Sequence, residues 1–377
     1  MDWEVIAGKP PAAIRRHGRF IVADLLAPHV VFSTSARNGG QTTHLRHLVN
    51  HQGCEPAGHE RLETDIHRLG EDAYHDAICR EIGLPPHESA LMTTAANMNY
   101  AAVVTREDAD VELTAIVTAG VETNATCAGD PAAWRESFAP DAKPLAKSGT
   151  INTILLVNRP VTIAALTRTI VTMTEAKSAA LQRLAVPSRY SADLATGTGT
   201  DQFCLAAPQS GAPPFTTASP HSKFGELIGV IVRDATLEAL RWQNGLEPSM
   251  TRGLFHALRR YGVSEAGLMD ALAALLEPSD FELLRRNSNA VFYEPLVGAA
   301  AHGFASVLDR IRHGTLPPSV SQDALIQQAA MLAANLAAKP NRWPEFRVRL
   351  RATEKTEPPM LIAAAIALGW SDKWRET

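Results

Sequence analysis

Two rhythms of apolar positions alternate along the first 245 residues. Phe20-Ile21-Val22 and Val30-Val31-Phe32 read as strands within 19–35, and Asn38-Gly39-Gly40 is a turn signal. The spacing predicts a helix over 68–82, stopped by Gly83 and Pro85-Pro86. A hairpin follows, 100–105 and 112–119, across the charged turn 106–110. A strand is expected at 151–157. The helix after it starts near Pro160 and Thr162 and places Ile163, Leu166, Ile170, Met173, Leu181 and Leu184 at three- and four-residue steps, with Lys177 interrupting. A strand at 203–206 and a helix over about 223–242, capped by Ser222, complete this part.

This order predicts an α+β layered sandwich, with a mainly antiparallel sheet and flanking helices. Residues 1–17 read as a lead-in, 123–147 as a long loop and 208–220 as a second loop. The composition shifts near Gly245. Beyond it the chain is rich in alanine and leucine, with helices expected at 250–261, 264–276, 295–312 and 322–338. The expected organisation is therefore a lead-in (1–17), a main domain (18–244) and an α-helical accessory region (245–377).

Bulk properties narrow the function only by exclusion. A net charge of −4 without a basic stripe gives no case for nucleic acid. The start Met1-Asp2-Trp3-Glu4 lacks the features of a signal peptide, and the apolar run 360–370 is too short to span a bilayer. Cys54, Cys79, Cys127 and Cys204 show no CxxC spacing, which suits a reducing cytoplasm.

Candidate chemistry concentrates in two short polar segments, each leading into a strand. One is Ser148-Gly149-Thr150-Ile151-Asn152-Thr153. The other is Ala195-Thr196-Gly197-Thr198-Gly199-Thr200-Asp201. Glycines and small hydroxyls at strand ends let backbone N–H groups approach a ligand. No Lys-Ser/Thr follows the glycines, so this is not a phosphate loop. The second segment is a ligand-binding turn or a plain strand-entry turn. Asp201 is a general base or a carboxylate capping its own turn. Asn97, Asn99, Asn124 and Asn152 are amides able to hold a carboxamide, or turn residues. His221 precedes a helix together with Lys223 and Glu226, and is an acid–base candidate. His44, His47 and His51 fall at i, i+3 and i+7, but no HExxH glutamate accompanies them, and no metal is expected.

Five blocks together resemble the adenosylcobinamide amidohydrolase family. They are Thr118-Ala119-Gly120-Val121 with Asn124-Ala125 and Ala128-Gly129-Asp130; Gly149-Thr150-Ile151-Asn152 with Leu155-Leu156-Val157-Asn158; Thr174-Glu175-Ala176-Lys177 with Ala180-Leu181; Ala195 to Asp201; and His221 to Gly229. Asn38-Gly39-Gly40 and Asn50 match a weaker N-terminal pattern. The resemblance covers about 18–242. Thr123 and the stretch 216–220 depart from the pattern, in a loop that could alter which corrinoid side group is preferred.

The resemblance implies hydrolysis of the amide joining a corrin-ring propionate to aminopropanol. Adenosylcobinamide would become adenosylcobyric acid for coenzyme B12 salvage. The corrinoid is then the substrate and its cobalt is no enzyme cofactor. Gly197 to Thr200 or Gly149-Thr150 would supply oxyanion donors. A water on Asp201, or a hydroxyl of Thr150, Thr198 or Thr200, would attack, and His221 would protonate the amine. Asn97, Asn124 and Asn152 would bind amides. The alternatives are action on a complete cobamide, or a corrinoid-binding module without catalysis, in which the helical tail could serve partners or self-association.

Overall fold

The structure is a computed structural model and describes residues 2–7, 11–132 and 148–375. It divides into two compact units, Met1–Gly245 and Leu246–Thr377.

The first unit opens with strands β1 (Glu4–Ala7), β2 (Ala12–His17), β3 (Phe20–Leu25), β4 (His29–Ser33), β5 (Gly40–Thr42) and β6 (His47–Gln52). Helices α1 (His59–Leu69) and α2 (Glu71–Glu81) follow, then β7 (Ser89–Thr94), β8 (Ala102–Asp108), β9 (Val111–Ala119) and β10 (Ala125–Thr126). The unit closes with β11 (Ile151–Val157), α3 (Ile163–Arg183), β12 (Gly197–Thr198), β13 (Gln202–Pro208) and α4 (Lys223–Asn244).

The strands form two large sheets, β1-β2-β3-β6-β7 and β5-β4-β13-β11-β9-β8, and a small pair, β10-β12. Pairing is antiparallel except for β6 with β7 and β11 with β13. Alternation along the strands sends Ile14, Ile21, Leu48 and Met92 of the first sheet against Ile116, Ile154 and Cys204 of the second. The outer face of the first sheet packs Phe20, Val22 and Val49 on Cys79 and Ile82 at the end of α2. On the second sheet, α4 packs on β9 and β8, over alternate residues such as Val117 and Leu155. An α+β sandwich with a mainly antiparallel arrangement results, as the element order predicts.

One polar seam crosses the apolar interior. Asn152 on β11 donates to Asn50 Oδ1 on β6 at 2.9 Å and to the Thr93 carbonyl on β7 at 3.3 Å. Asn50 in turn donates to Thr118 Oγ1 on β9 at 2.8 Å. Buried amides of this kind are costly unless paired, and here they pair across the two sheets.

Several elements depart from expectation. Residues 1–17 hold β1 and β2, whose Ala12 and Ile14 point into the core. The strands β5, β6 and β7 and helix α1 lie outside the expected pattern, and on β6 the buried polar residues Asn50, His51 and Gln52 hide the strand. Of the expected loop 123–147, residues 133–147 lie outside the described residues, and the described part contains β10.

The second unit is helical throughout its regular elements. Its core joins Phe292, Phe304 of Pro295–Arg312, Leu332 of Pro318–Leu336, Phe346 of Trp343–Arg351 and Ile362 of Pro358–Lys373. The apolar run 360–370 lies in that last helix and is almost wholly buried, which explains its hydrophobicity. Among the described residues no helix is long and apolar enough to cross a membrane.

Candidate active site

Because β11 and β13 are parallel neighbours, with Asn152 opposite Gln202, the two glycine segments enter the sheet side by side at the same edge. Close approach explains the glycines. Gly149 has φ +113°, and a Cβ there would stand 2.9 Å from the Gly120 carbonyl oxygen. A Cβ at Gly197 would meet the Asp201 carboxylate and stand 2.8 Å from Lys177 Nζ.

Asp201 ties the second segment to the first. Its Oδ1 accepts from the Ile151 N–H at 2.9 Å and from Thr198 Oγ1 at 2.6 Å. Its Oδ2 accepts from the Thr198 N–H at 3.1 Å and pairs with Lys177 from α3. Lys177, read from the sequence as an interruption of the apolar stripe, thus reaches the mouth of β13. Asn124 is buried and gathers the rest. Its Nδ2 donates to the Gly149 carbonyl at 2.9 Å and to Thr200 Oγ1 at 3.3 Å, and its Oδ1 accepts from the Tyr190 hydroxyl at 3.0 Å. Thr200 donates to the Gly149 carbonyl at 3.0 Å, and Thr150 donates to the Thr200 carbonyl at 2.6 Å.

These groups face a cavity of about 1000 Å³ whose wall includes Asn124, Gly149, Thr150, Gly199, Thr200 and Asp201. That volume stands at the upper end of ligand pockets, roughly 300–1,000 Å³. Asp130 and Tyr190 add a further part of the wall. Burial pushes the Asp130 carboxyl up, but hydrogen bonds from Ser188, Ser191, the Cys127 N–H and Thr126 outweigh it and hold it below the usual carboxylate value. Helix α1 supplies His59, Leu62, Glu63, Ile66 and His67.

Other expected site residues lie elsewhere. Thr198 and Gly197 are buried beneath the turn, against Asp201 and Lys177. Asn152 is fully buried in the inter-sheet seam, so it faces Asn50 and not the cavity. Asn97 caps the short turn at Met98–Tyr100, with its Oδ1 accepting from the Asn99 N–H at 2.8 Å; neither lines the cavity. His221 is exposed and absent from the cavity wall. It precedes α4, whose far end bonds Asn97 through Gln243 and Val121 through Asn244. Gln243 also lies beside Gly120, which touches Gly149. A 22-residue helix spans about 33 Å, so His221 stands a helix length from Gly149. Lys223 and Glu226 pair with each other on the surface at 2.9 Å.

The N-terminal histidines also separate. His47 and His51 are on a strand, so the helical spacing does not apply. His47 bonds Asp24 at 2.7 Å, and His51 stacks on Phe20, where burial and then Arg19 push its imidazole down to about 3. Among the described residues no group of three or more His, Cys, Asp or Glu side chains is placed to hold a metal ion.

Sequence reasoning passed over Lys177, Tyr190 and the α1 histidines. Lys177 carried a signal, a charge at an otherwise apolar helical position. Tyr190 carried none, because only the tertiary fold brings it to Asn124.

The family model for adenosylcobinamide amidohydrolase matches residues 9–248, and the chain belongs to that family. The uncharacterised protein MJ1613 of Methanocaldococcus jannaschii is 34% identical over 183 residues, 46% of this chain and 71% of that protein. Among solved structures, the PH0078 protein from Pyrococcus horikoshii OT3 is similar at a TM-score of 0.28 and 12% identity, over 63% of this chain and 82% of that one.

Proposed function

We propose that this chain hydrolyses the amide between a corrin-ring propionate and aminopropanol in adenosylcobinamide, releasing adenosylcobyric acid and aminopropanol for corrinoid salvage. The observation that carries the reading is the meeting of both glycine segments, Asn124 and Asp201 on one large cavity in a chain of this family.

Hydrogen-bond occupancy supports the following roles. The N–H groups of Ile151 and Thr198 serve Asp201, that of Gly199 serves the Asn124 carbonyl at 3.3 Å, and that of Thr200 serves Thr198 Oγ1 at 3.4 Å. The N–H groups of Gly149 and Thr150 have no partner among the described residues, and they are the oxyanion donors in this reading. One such donor contributes about 3 kcal/mol to the barrier. Thr200, held by Asn124 and Gly149, orients the attacking water.

Asp201 is the base, and Lys177 pairs with it. All four of its acceptor sites are occupied, and in this reading the Thr198 hydroxyl rotates away to admit the water. Water gives its proton to Asp201 as its oxygen bonds the amide carbon. The protonated carboxyl then gives that proton to the amine nitrogen as the C–N bond breaks. One residue thus acts as base and acid, without His221.

The direct test is incubation of the EDTA-treated full-length chain with adenosylcobinamide, with mass analysis of products. Adenosylcobyric acid and aminopropanol are expected in equal amounts. Unchanged substrate, with metal restored and with a complete cobamide also tried, overturns the reading.

A further inference from the structure

Taking the corrinoid reading as given, helix α1 offers a surface for the substrate. Residues 59, 62, 63, 66 and 67 of α1 line the cavity. Their i, i+3, i+4, i+7, i+8 spacing is the stripe that a helix in a globular protein turns against its core. Yet no residue of α1 is buried. The apolar pair Leu62 and Ile66 therefore faces the space that a ligand occupies, flanked by His59, Glu63 and His67.

The two histidines differ in how their protons are fixed. Nδ1 of His67 lies 3.0 Å from the Glu63 carbonyl oxygen, an acceptor only. A neutral imidazole meets it with the proton on Nδ1, which leaves the lone pair on Nε2. Metal-binding histidines take this form, with one nitrogen donating to a carbonyl and the other coordinating. His67 is also exposed at the cavity wall, so its ring is reachable. His59 is not set in this way. Its Nδ1 is buried without a partner and its Nε2 lies 3.9 Å from Glu63 Oε1.

A corrinoid without its nucleotide base presents a broad apolar face and, at the centre, a cobalt whose lower axial position holds only water. We propose that Nε2 of His67 takes that axial position while the corrin rests on Leu62 and Ile66. The cobalt–water bond breaks, a cobalt–nitrogen bond forms and water leaves. No electron or proton moves. The α1 stripe would then bind the substrate by its metal, while the glycine segments act on its amide side chain.

The test uses full-length protein and cobinamide reduced to the cobalt(II) state, read by electron paramagnetic resonance. One axial nitrogen splits each cobalt line into three, and an oxygen ligand leaves it unsplit. The wild type is expected to show the triplet. His67→Ala and His67→Gln are expected to bind about tenfold more weakly and without nitrogen splitting, and added imidazole should restore it in His67→Ala. A triplet that persists in both variants overturns the proposal. So does a wild type that releases aminopropanol from adenosylcobinamide but shows an unsplit cobalt signal. Failure to bind any corrinoid or to release product would remove the corrinoid reading itself, and this inference with it.

Discussion

The glycine-segment wall and the α1 wall of the cavity are built on opposite principles. On the first, nearly every polar atom is committed: Asp201 accepts four hydrogen bonds, and Asn124 joins Gly149, Thr200 and Tyr190. On the second, Leu62, Ile66 and His67 face the cavity from a helix that buries none of its residues. A preorganised wall loses little by reorganising during reaction, which is what stabilising a transition state requires. An uncommitted wall gains by covering its apolar surface when ligand arrives, which is what binding requires. In the proposed reading, chemistry falls to one side and recognition to the other.

The largest expected effect breaks the first wall. Asp201→Asn removes the proposed base and the charge partner of Lys177 while keeping the shape. A fall in kcat of about 10³-fold is expected, with corrinoid binding retained; turnover within tenfold of the wild type would remove Asp201 as base. Leu62→Glu addresses the second wall, placing a charge where the apolar stripe meets ligand. KM should rise about tenfold, the worth of roughly 1.4 kcal/mol of lost burial, while kcat stays near the wild-type value. A matching collapse of kcat would show that α1 takes part in the chemistry and dissolve the contrast.

The smallest effect concerns stability. Asp130 is held below its ordinary value of 3.8 by its hydrogen bonds, against burial that acts the other way. A depressed folded-state carboxyl stabilises above the unfolded value and loses that stabilisation as pH falls through the folded value. Asp130→Asn should therefore melt at a lower temperature than the wild type at pH 7. The gap should close as pH drops below about 4. A gap that is constant down to pH 2 would show that charge is not what Asp130 contributes.

The sequence spoke clearly where local rules and tertiary demands coincide. The strand at 151–157 is observed at Ile151–Val157, and Thr162 and Ser222 cap the helices that follow. It misled where burial overrides polarity. His47–Gln52 reads as mixed and polar, yet Asn50 and His51 are buried, one in the amide seam and one in an aromatic stack. For the site, the glycines were legible because close backbone approach leaves a chemical mark. His221 looked equally suitable in one dimension, but a helix length separates it from Gly149. The α1 stripe escaped notice because its apolar positions are few.

The two parallel strands β11 and β13 carry the glycine segments at their amino ends. Open α/β sheets more often bind ligands at carboxyl ends, where helix amino termini offer positive poles. Here the helices point the other way. Ser178, near the end of α3, bonds the Thr196 carbonyl, and Asn244 at the end of α4 bonds Val121. Two negative helix poles thus converge on the edge that holds the site. Each is worth only about 0.3–1 kcal/mol to a nearby charge, but both have the same sign. They add negative potential at this edge, against which the oxyanion donors and the Lys177 ammonium beside Asp201 must act.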